Sequence, residues 1–394
     1  MKHSIKDQLA IEIKSLFAGY PQFVYSKNNI KNLDGIPVFV YHTIEPELFE
    51  AHLMYLKNNG YKTLSIYEFY DILTKKKSIS TKKMVLLTID DARSSVWRFA
   101  YPLLEKHKMH ATVFVIPGVT EEGTSLRKNL KNSWNNECSI EEIHKIDSDD
   151  NTLCNWNEIK EMYNSGFVNI ESHTLFHREI FINSKIADYI QEDTEVIPYN
   201  FKGSPYYTKE NIGVQPTLEK YVGLPLFESA PIMFAGPKFE VSGEFRNKCK
   251  EIYNNALESK SDWKKEIENF VIKEANNKKY FNSESSSEKD TLEDLQFARD
   301  QIHKHLDSDA GNHLCLPWTK GNGKTIDICH ELDIKSCFWG VLDNKKINKV
   351  GDNPYYISRI KNDFVFRLPG NGRDSLFSIY MYKMKRRMSG GKIY

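Results

Sequence analysis

Two carboxylates stand side by side at the end of an apolar run, Val85-Leu86-Leu87-Thr88-Ile89-Asp90-Asp91. The run has the length and β-branched content of a strand buried on both faces, as in a parallel sheet covered by helices. In such folds chemistry collects where strands end and helices begin. Neighbouring side chains at a strand end point in different directions, so one carboxylate can hold a metal while the other takes a proton. A helix N-cap with an acidic neighbour gives the same dipeptide, so the pair decides nothing alone. A second cluster is His173-Thr174-Leu175-Phe176-His177, directly after the apolar stretch 167–172. Histidines at i and i+4 on a helical turn share one face and can bind one metal. Two histidines and one carboxylate, with positions left open, form the donor set of a catalytic zinc or iron centre. His42 closes a third apolar run, 36–41.

These residues need a scaffold that brings strand ends together. Strands are expected at 36–41, 85–89, 111–116, 167–172, 313–317, 336–341 and 355–360, with helical patterns at 46–59, 68–73, 156–164, 292–306 and 325–332 between them. Strand, loop and helix units joined by right-handed crossovers make a parallel sheet, and about seven strands suit a barrel better than an open sheet. His42, Asp90, Asp91, His173, His177 and the turn after Pro317 then fall at one rim. The rhythm fails from 178 to 291, which reads as a mostly helical or irregular insertion with helical patterns at 244–258 and 261–280. The Ser-rich stretch 282–289 reads as a mobile joint. The expected units are an N-terminal helical extension (1–34), a first part of the barrel (35–177), the insertion (178–291), a second part (292–370) and a basic tail (371–394).

Composition narrows the function classes. Fifty-four basic and fifty-three acidic residues give a net charge of +1, which argues against a nucleic-acid binder. The 22 Phe, 21 Tyr and 6 Trp suit carbohydrate surfaces and cores alike. Six cysteines without a C-x-x-C pair read as reduced or buried thiols. The first residues have the pattern of a short amphipathic helix and not of a secretory signal, and no apolar run has the length of a membrane span, so a cytoplasmic protein is expected. Gly323-Lys324-Thr325 lacks the earlier glycine of a phosphate loop, and no G-x-S-x-G nucleophile elbow occurs.

Together the motifs resemble the polysaccharide deacetylase family of metal-dependent carbohydrate esterases. Thr88-Ile89-Asp90-Asp91-Ala92 is similar to its Thr-Phe-Asp-Asp-Gly motif, Ser172–His177 to its His-Ser/Thr-x-x-His motif, and Leu316-Pro317-Trp318 to its Pro-Tyr motif. The stretch 36–42, with Phe49-Glu50 and 56–61, resembles the branch acting on poly-N-acetylglucosamine, whose catalytic histidine comes from an N-terminal strand. The resemblance covers about 36–177 and 292–368 and implies a distorted (β/α)7 barrel. It implies that Asp91, His173 and His177 hold a divalent metal, Zn2+ or else Co2+, Ni2+ or Fe2+. Asp90 is then the base on a metal-activated water, His42 the acid for the departing amine, and the Trp318 backbone N–H an oxyanion donor. Tyr41, Arg93 and Pro317 are expected beside the substrate.

There are departures. The family's third motif carries an arginine that orients the base, and Leu314 stands near its position; Arg93 is a replacement by proximity only. Ala92 replaces a glycine. The insertion, with Tyr206, Tyr207, Phe227, Phe234 and Phe239, is expected to cap the rim and shape a pocket. The expected activity is removal of an N-acetyl group from an amino sugar, oligosaccharide or glycolipid during glycan assembly. A catalytically inactive glycan-binding protein and a deformylase of an N-formyl sugar are the alternatives. The basic tail (Lys383, Lys385, Arg386, Arg387, Lys392) is a candidate contact for anionic lipid.

Overall fold

The computed structural model describes residues 19–27, 33–78, 82–148, 153–194, 204–214, 217–307, 309–342, 345 and 347–388. Most of the expected N-terminal helix therefore lies outside the described residues; Gln22–Tyr25 forms one helical turn.

Seven parallel strands form the frame: β1 (Val38–Tyr41), β2 (Met84–Asp90), β3 (Ala111–Val115), β4 (Val168–Ser172), β5 (His313–Cys315), β6 (Ser336–Phe338) and β7 (Ile360–Lys361). Their order is β6-β5-β4-β3-β2-β1-β7, and Lys62–Thr63 pairs at the start of β2. The residues leading into β7 bring the ring round: Ile357 N–H donates to the Cys337 carbonyl at 3.0 Å, and Trp339 N–H donates to the Ile357 carbonyl at 2.9 Å. The ring is uneven, because β4 and β5 share the single register pair Ser172 and Leu314. This is a distorted (β/α)7 barrel.

Sidedness follows from the period of two. Every residue of β2 is buried. Leu86 joins Val38, Phe114, Cys315, Phe338 and Ile357 inside the ring, closed below by Ile66, Phe69 and Leu73. The alternate residues Leu87 and Ile89, with Phe39, Tyr41, Val113 and Ile170, pack outward against Phe49, Leu53 and Leu56 of the first barrel helix. Each large apolar side chain so buried contributes roughly 1.5–3 kcal/mol. The helices α1 (Pro46–Asn58), α2 (Ile66–Leu73), α3 (Tyr101–His107), α4 (Trp156–Asn164), α5 (Glu288–His305) and α6 (Gly323–Glu331) cover the strands. Ser65, Asn155 and Asn322 cap three of them by accepting first-turn N–H groups.

The insertion holds more β-structure than its sequence suggests. Glu179–Tyr189 pairs antiparallel with Pro225–Pro231, and Pro237–Val241 with Phe281–Ser286. The Ser-rich stretch expected as a joint is thus a strand followed by the start of α5. Helices Gly243–Ser259 and Trp263–Glu274 complete the unit. Tyr206, Tyr207, Phe227 and Phe239 pack with Phe181, Phe245 and Phe281 in the insertion's own core. They do not shape a rim pocket as expected, because their faces are spent on one another; Phe234 alone of the five is exposed, at 44%.

The tail forms a helix, α7 (Leu376–Met388). Two of its cations are engaged inward: Lys383 pairs with Asp363 at 3.0 Å and Arg386 with Glu45 at 3.0 Å. All six cysteines are free thiols. Among the described residues no helix is long and apolar enough to cross a membrane.

Candidate metal centre

Three loops leave the C-terminal ends of β2, β4 and β5, and each carries backbone in the left-handed region. Asp91 and Ala92 have φ of 72° and 52°, Thr174 and His177 of 69° and 48°, Trp318 and Thr319 of 49° and 57°. These six are half of the twelve such non-glycine residues among those described. Each costs of order 1–3 kcal/mol and persists only where its surroundings hold it, so strain collects at this rim. It also gives a reason for the family's glycine at the position of Ala92, since glycine adopts such φ without a Cβ penalty.

Asp91, His173 and His177 offer three ligand atoms that all lie within 4.8 Å of one another, and all three residues are buried. Asp91 Oδ1 stands 3.6 Å from His173 Nε2. The His173 ring is oriented from behind, its Nδ1 lying 2.9 Å from the Cys315 carbonyl. That bond assigns the proton to Nδ1 and leaves Nε2 with its lone pair toward Asp91, the arrangement a metal-ligating histidine takes. The His173 and His177 ring centroids are 4.6 Å apart. The pair does not sit on a helical turn, as its spacing suggested. It spans a bent loop closed by His177 N–H donating to Thr174 Oγ1 at 3.1 Å. Two imidazoles and one carboxylate fit a divalent metal.

Asp90 also offers an oxygen within 4.8 Å of donor atoms of His173 and Cys315, but its carboxylate is taken up by other partners. Its Oδ1 accepts Arg359 Nη1 at 2.6 Å and its Oδ2 accepts Arg359 Nη2 at 2.9 Å. Arg359 is fixed in turn by donating Nε to the Trp339 carbonyl at 2.8 Å. Cys315 Sγ donates to Asp90 Oδ2 at 3.5 Å. Burial pushes the Asp90 pKa up, but Arg359, His173 and His42 outweigh it and hold the carboxyl well below the usual carboxylate range. His42, just past β1, places Nε2 3.8 Å from Asp90 Oδ2, with 30% of its side chain exposed. Burial lowers the His42 pKa against the opposing pull of Asp91 and Asp90.

Arg93 does not replace the missing arginine. Its Nε lies 3.4 Å from Asp91 Oδ2 and its Nη1 donates to Thr43 Oγ1 at 2.6 Å. Arg359 serves Asp90 instead; it stands between Ile357 and Ile360, and nothing local in the sequence ties it to Asp90. Tyr41, expected beside the substrate, turns away from the rim: it is 3% exposed, and its hydroxyl meets His52 Nδ1 at 3.1 Å under α1. Pro317 is buried at the base of the turn that presents Trp318. The Trp318 indole is 36% exposed, with its ring centroid 4.2 Å from that of His177.

Parts of the chain are similar to known proteins. Residues 77–218 match the family described as polysaccharide deacetylase. A poly-beta-1,6-N-acetyl-D-glucosamine N-deacetylase of Staphylococcus aureus is 27% identical over 223 residues, 56% of this chain and 65% of that protein. The match thus spans just under two thirds of that relative's length. A structure of IcaB from Ammonifex degensii has a TM-score of 0.46 at 18% identity, covering 85% of this chain and 96% of its own. A de-N-acetylase from Aggregatibacter actinomycetemcomitans has a TM-score of 0.49 at 17% identity, covering 89% and 100%. Residues 77–218, which include Asp90, Asp91, His173 and His177, are thus similar to the polysaccharide deacetylase family.

Proposed function

We propose that the protein is a metal-dependent hydrolase that removes an N-acetyl group from an amino sugar in a glycan or glycan precursor. The observation that carries this is the division of labour between adjacent carboxylates. Asp91 faces two histidines, and Asp90 is forked by Arg359 beside His42. A structural carboxylate pair has no need of that separation.

Asp91, His173 and His177 would hold the metal. A divalent ion there supplies a Lewis acid for the amide carbonyl and a water nucleophile near neutral pH. Zn2+, Co2+, Ni2+ and Fe2+ all suit two nitrogens and one oxygen. Asp90 is ionised and oriented, so it takes the proton of the attacking water. The Trp318 N–H is the candidate donor to the oxyanion. An amine leaves poorly unless protonated, and His42 is the group within reach to supply that proton. The exposed Trp318 indole offers an apolar face to a sugar ring. The staphylococcal relative's name supports β-1,6-linked N-acetylglucosamine as the first substrate to try.

The test is acetate release from N-acetylglucosamine oligomers by the purified chain supplied with divalent metal. Release that stops with chelator and in Asp90→Asn supports the reading. Metal uptake without hydrolysis of N-acetyl or N-formyl oligomers would favour a glycan-binding protein.

A further inference from the structure

The loop that carries both candidate histidine ligands is held from the far side of the insertion. Asp294 of α5 is 3% exposed, and its Oδ2 accepts the Leu175 N–H at 2.8 Å, midway between His173 and His177. The Leu175 carbonyl accepts the Gly118 N–H at 2.7 Å. Leu175 and Phe176 are buried against Ala298, one turn further along α5. The other Asp294 oxygen, Oδ1, lies 3.7 Å from Arg178 Nε. Arg178 follows His177 directly and opens the insertion. Its Nη1 donates to the Tyr207 carbonyl at 2.9 Å, and its own carbonyl accepts the Ile232 N–H at 3.1 Å. Asp294 and Arg178 therefore meet where the two stems of the insertion come together.

We propose that Asp294 is a positioning residue for the metal loop, setting the His173 and His177 donors through Leu175 and tying their placement to the neck of the insertion. This rests on the metal reading given above. The loop needs such a brace because Thr174 and His177 both sit at positive φ. A carboxylate accepting a main-chain N–H is a charge-assisted bond, stronger than a neutral one. Its removal leaves a buried N–H without a partner and lets the strained loop relax. The histidine ligands then move relative to Asp91, although Asp294 touches none of them.

The experiment compares full-length wild type, Asp294→Ala and Asp294→Asn. Co2+ titration is followed by visible absorption, and thermal unfolding is measured in chelator. Asparagine keeps an acceptor for the Leu175 N–H and loses only the charge toward Arg178. The expected result is Co2+ affinity weakened roughly 10–100-fold in Asp294→Ala with a shifted spectrum, and largely recovered in Asp294→Asn. If Asp294→Ala does not fold, Asp294→Ser replaces it, its hydroxyl being too short to reach Leu175. Wild-type affinity and spectrum in the alanine or serine variant, whatever its melting temperature, would overturn the proposal and leave the metal reading intact. No Co2+ uptake by the wild type would remove the metal reading and this inference with it.

Discussion

Arg359 and Asp90 meet fork to fork inside the barrel, two N–H groups on two oxygens at 2.6 and 2.9 Å, Asp90 at the end of β2 and Arg359 just before β7, 269 residues apart. The planar guanidinium fixes the carboxylate in orientation as well as in charge, which a single ammonium cannot do. In the proposed mechanism this fixed, ionised carboxylate is the base, while Asp91 joins the histidines. Replacing Arg359 by Met is expected to lower kcat/KM by at least about 100-fold, with Lys intermediate. Loss of the cation raises the Asp90 pKa, so the acid limb of the pH–rate profile moves to higher pH. A wild-type rate and profile in Arg359→Met would refute this role.

His42 reaches Asp90 from the open side of the rim. His42→Gln is expected to lower kcat by roughly 100- to 10,000-fold, the range for a lost general acid, with metal content unchanged. Parallel metal analysis and acetate assays check both halves. Loss of metal in this variant would make His42 a ligand and not the acid.

The Trp318 role divides between backbone and side chain. Glycine retains the N–H and tolerates the φ of 49°, so Trp318→Gly deletes the indole alone. KM for N-acetylglucosamine oligomers is expected to rise several-fold with kcat changed less. A collapse of kcat at constant KM would show that the indole acts in the chemical step.

Acid stability offers a test inside the barrel, away from the metal loops. His313 is buried, its Nδ1 2.6 Å from Ser336 Oγ, and burial with Lys335 nearby lowers its pKa to about 3. The unfolded chain takes up this proton near pH 6.5, so stability is lost as pH falls from about 6.5 toward 3, at about 1.4 kcal/mol per pH unit. Burial pushes Asp294 the other way, to about 6, so the whole-protein slope mixes opposing groups. The clean comparison is His313→Asn beside wild type between pH 7 and 5. The variant is expected to lose less melting temperature over that range, and equal losses would contradict a neutral buried His313.

The rim was legible because its signals are local. An apolar run ending in two carboxylates, and another ending in His-x-x-x-His, each reveal a strand end and a donor set together. Arg359 was hidden because its partner lies 269 residues away, and no local rule links them. Tyr41 could have been placed: it aligns with Ile89, whose neighbour Asp90 faces inward, so alternation turns Tyr41 out. The ribbons of the insertion left little trace. Glu179–Tyr189 has only two fully buried positions, and Phe281–Ser286 is mostly serine and polar residues paired by register with Pro237–Val241. Pairing, not propensity, makes them strands.

Metal stoichiometry tests the central claim most directly, measured by mass spectrometry on the wild type beside His173→Ala and Asp91→Asn. The account predicts close to one divalent ion per wild-type chain after loading, sharply less in both variants, and acetate release that follows the metal. A wild type that takes up no zinc, cobalt or nickel, or variants that bind metal as fully as the wild type, would contradict it.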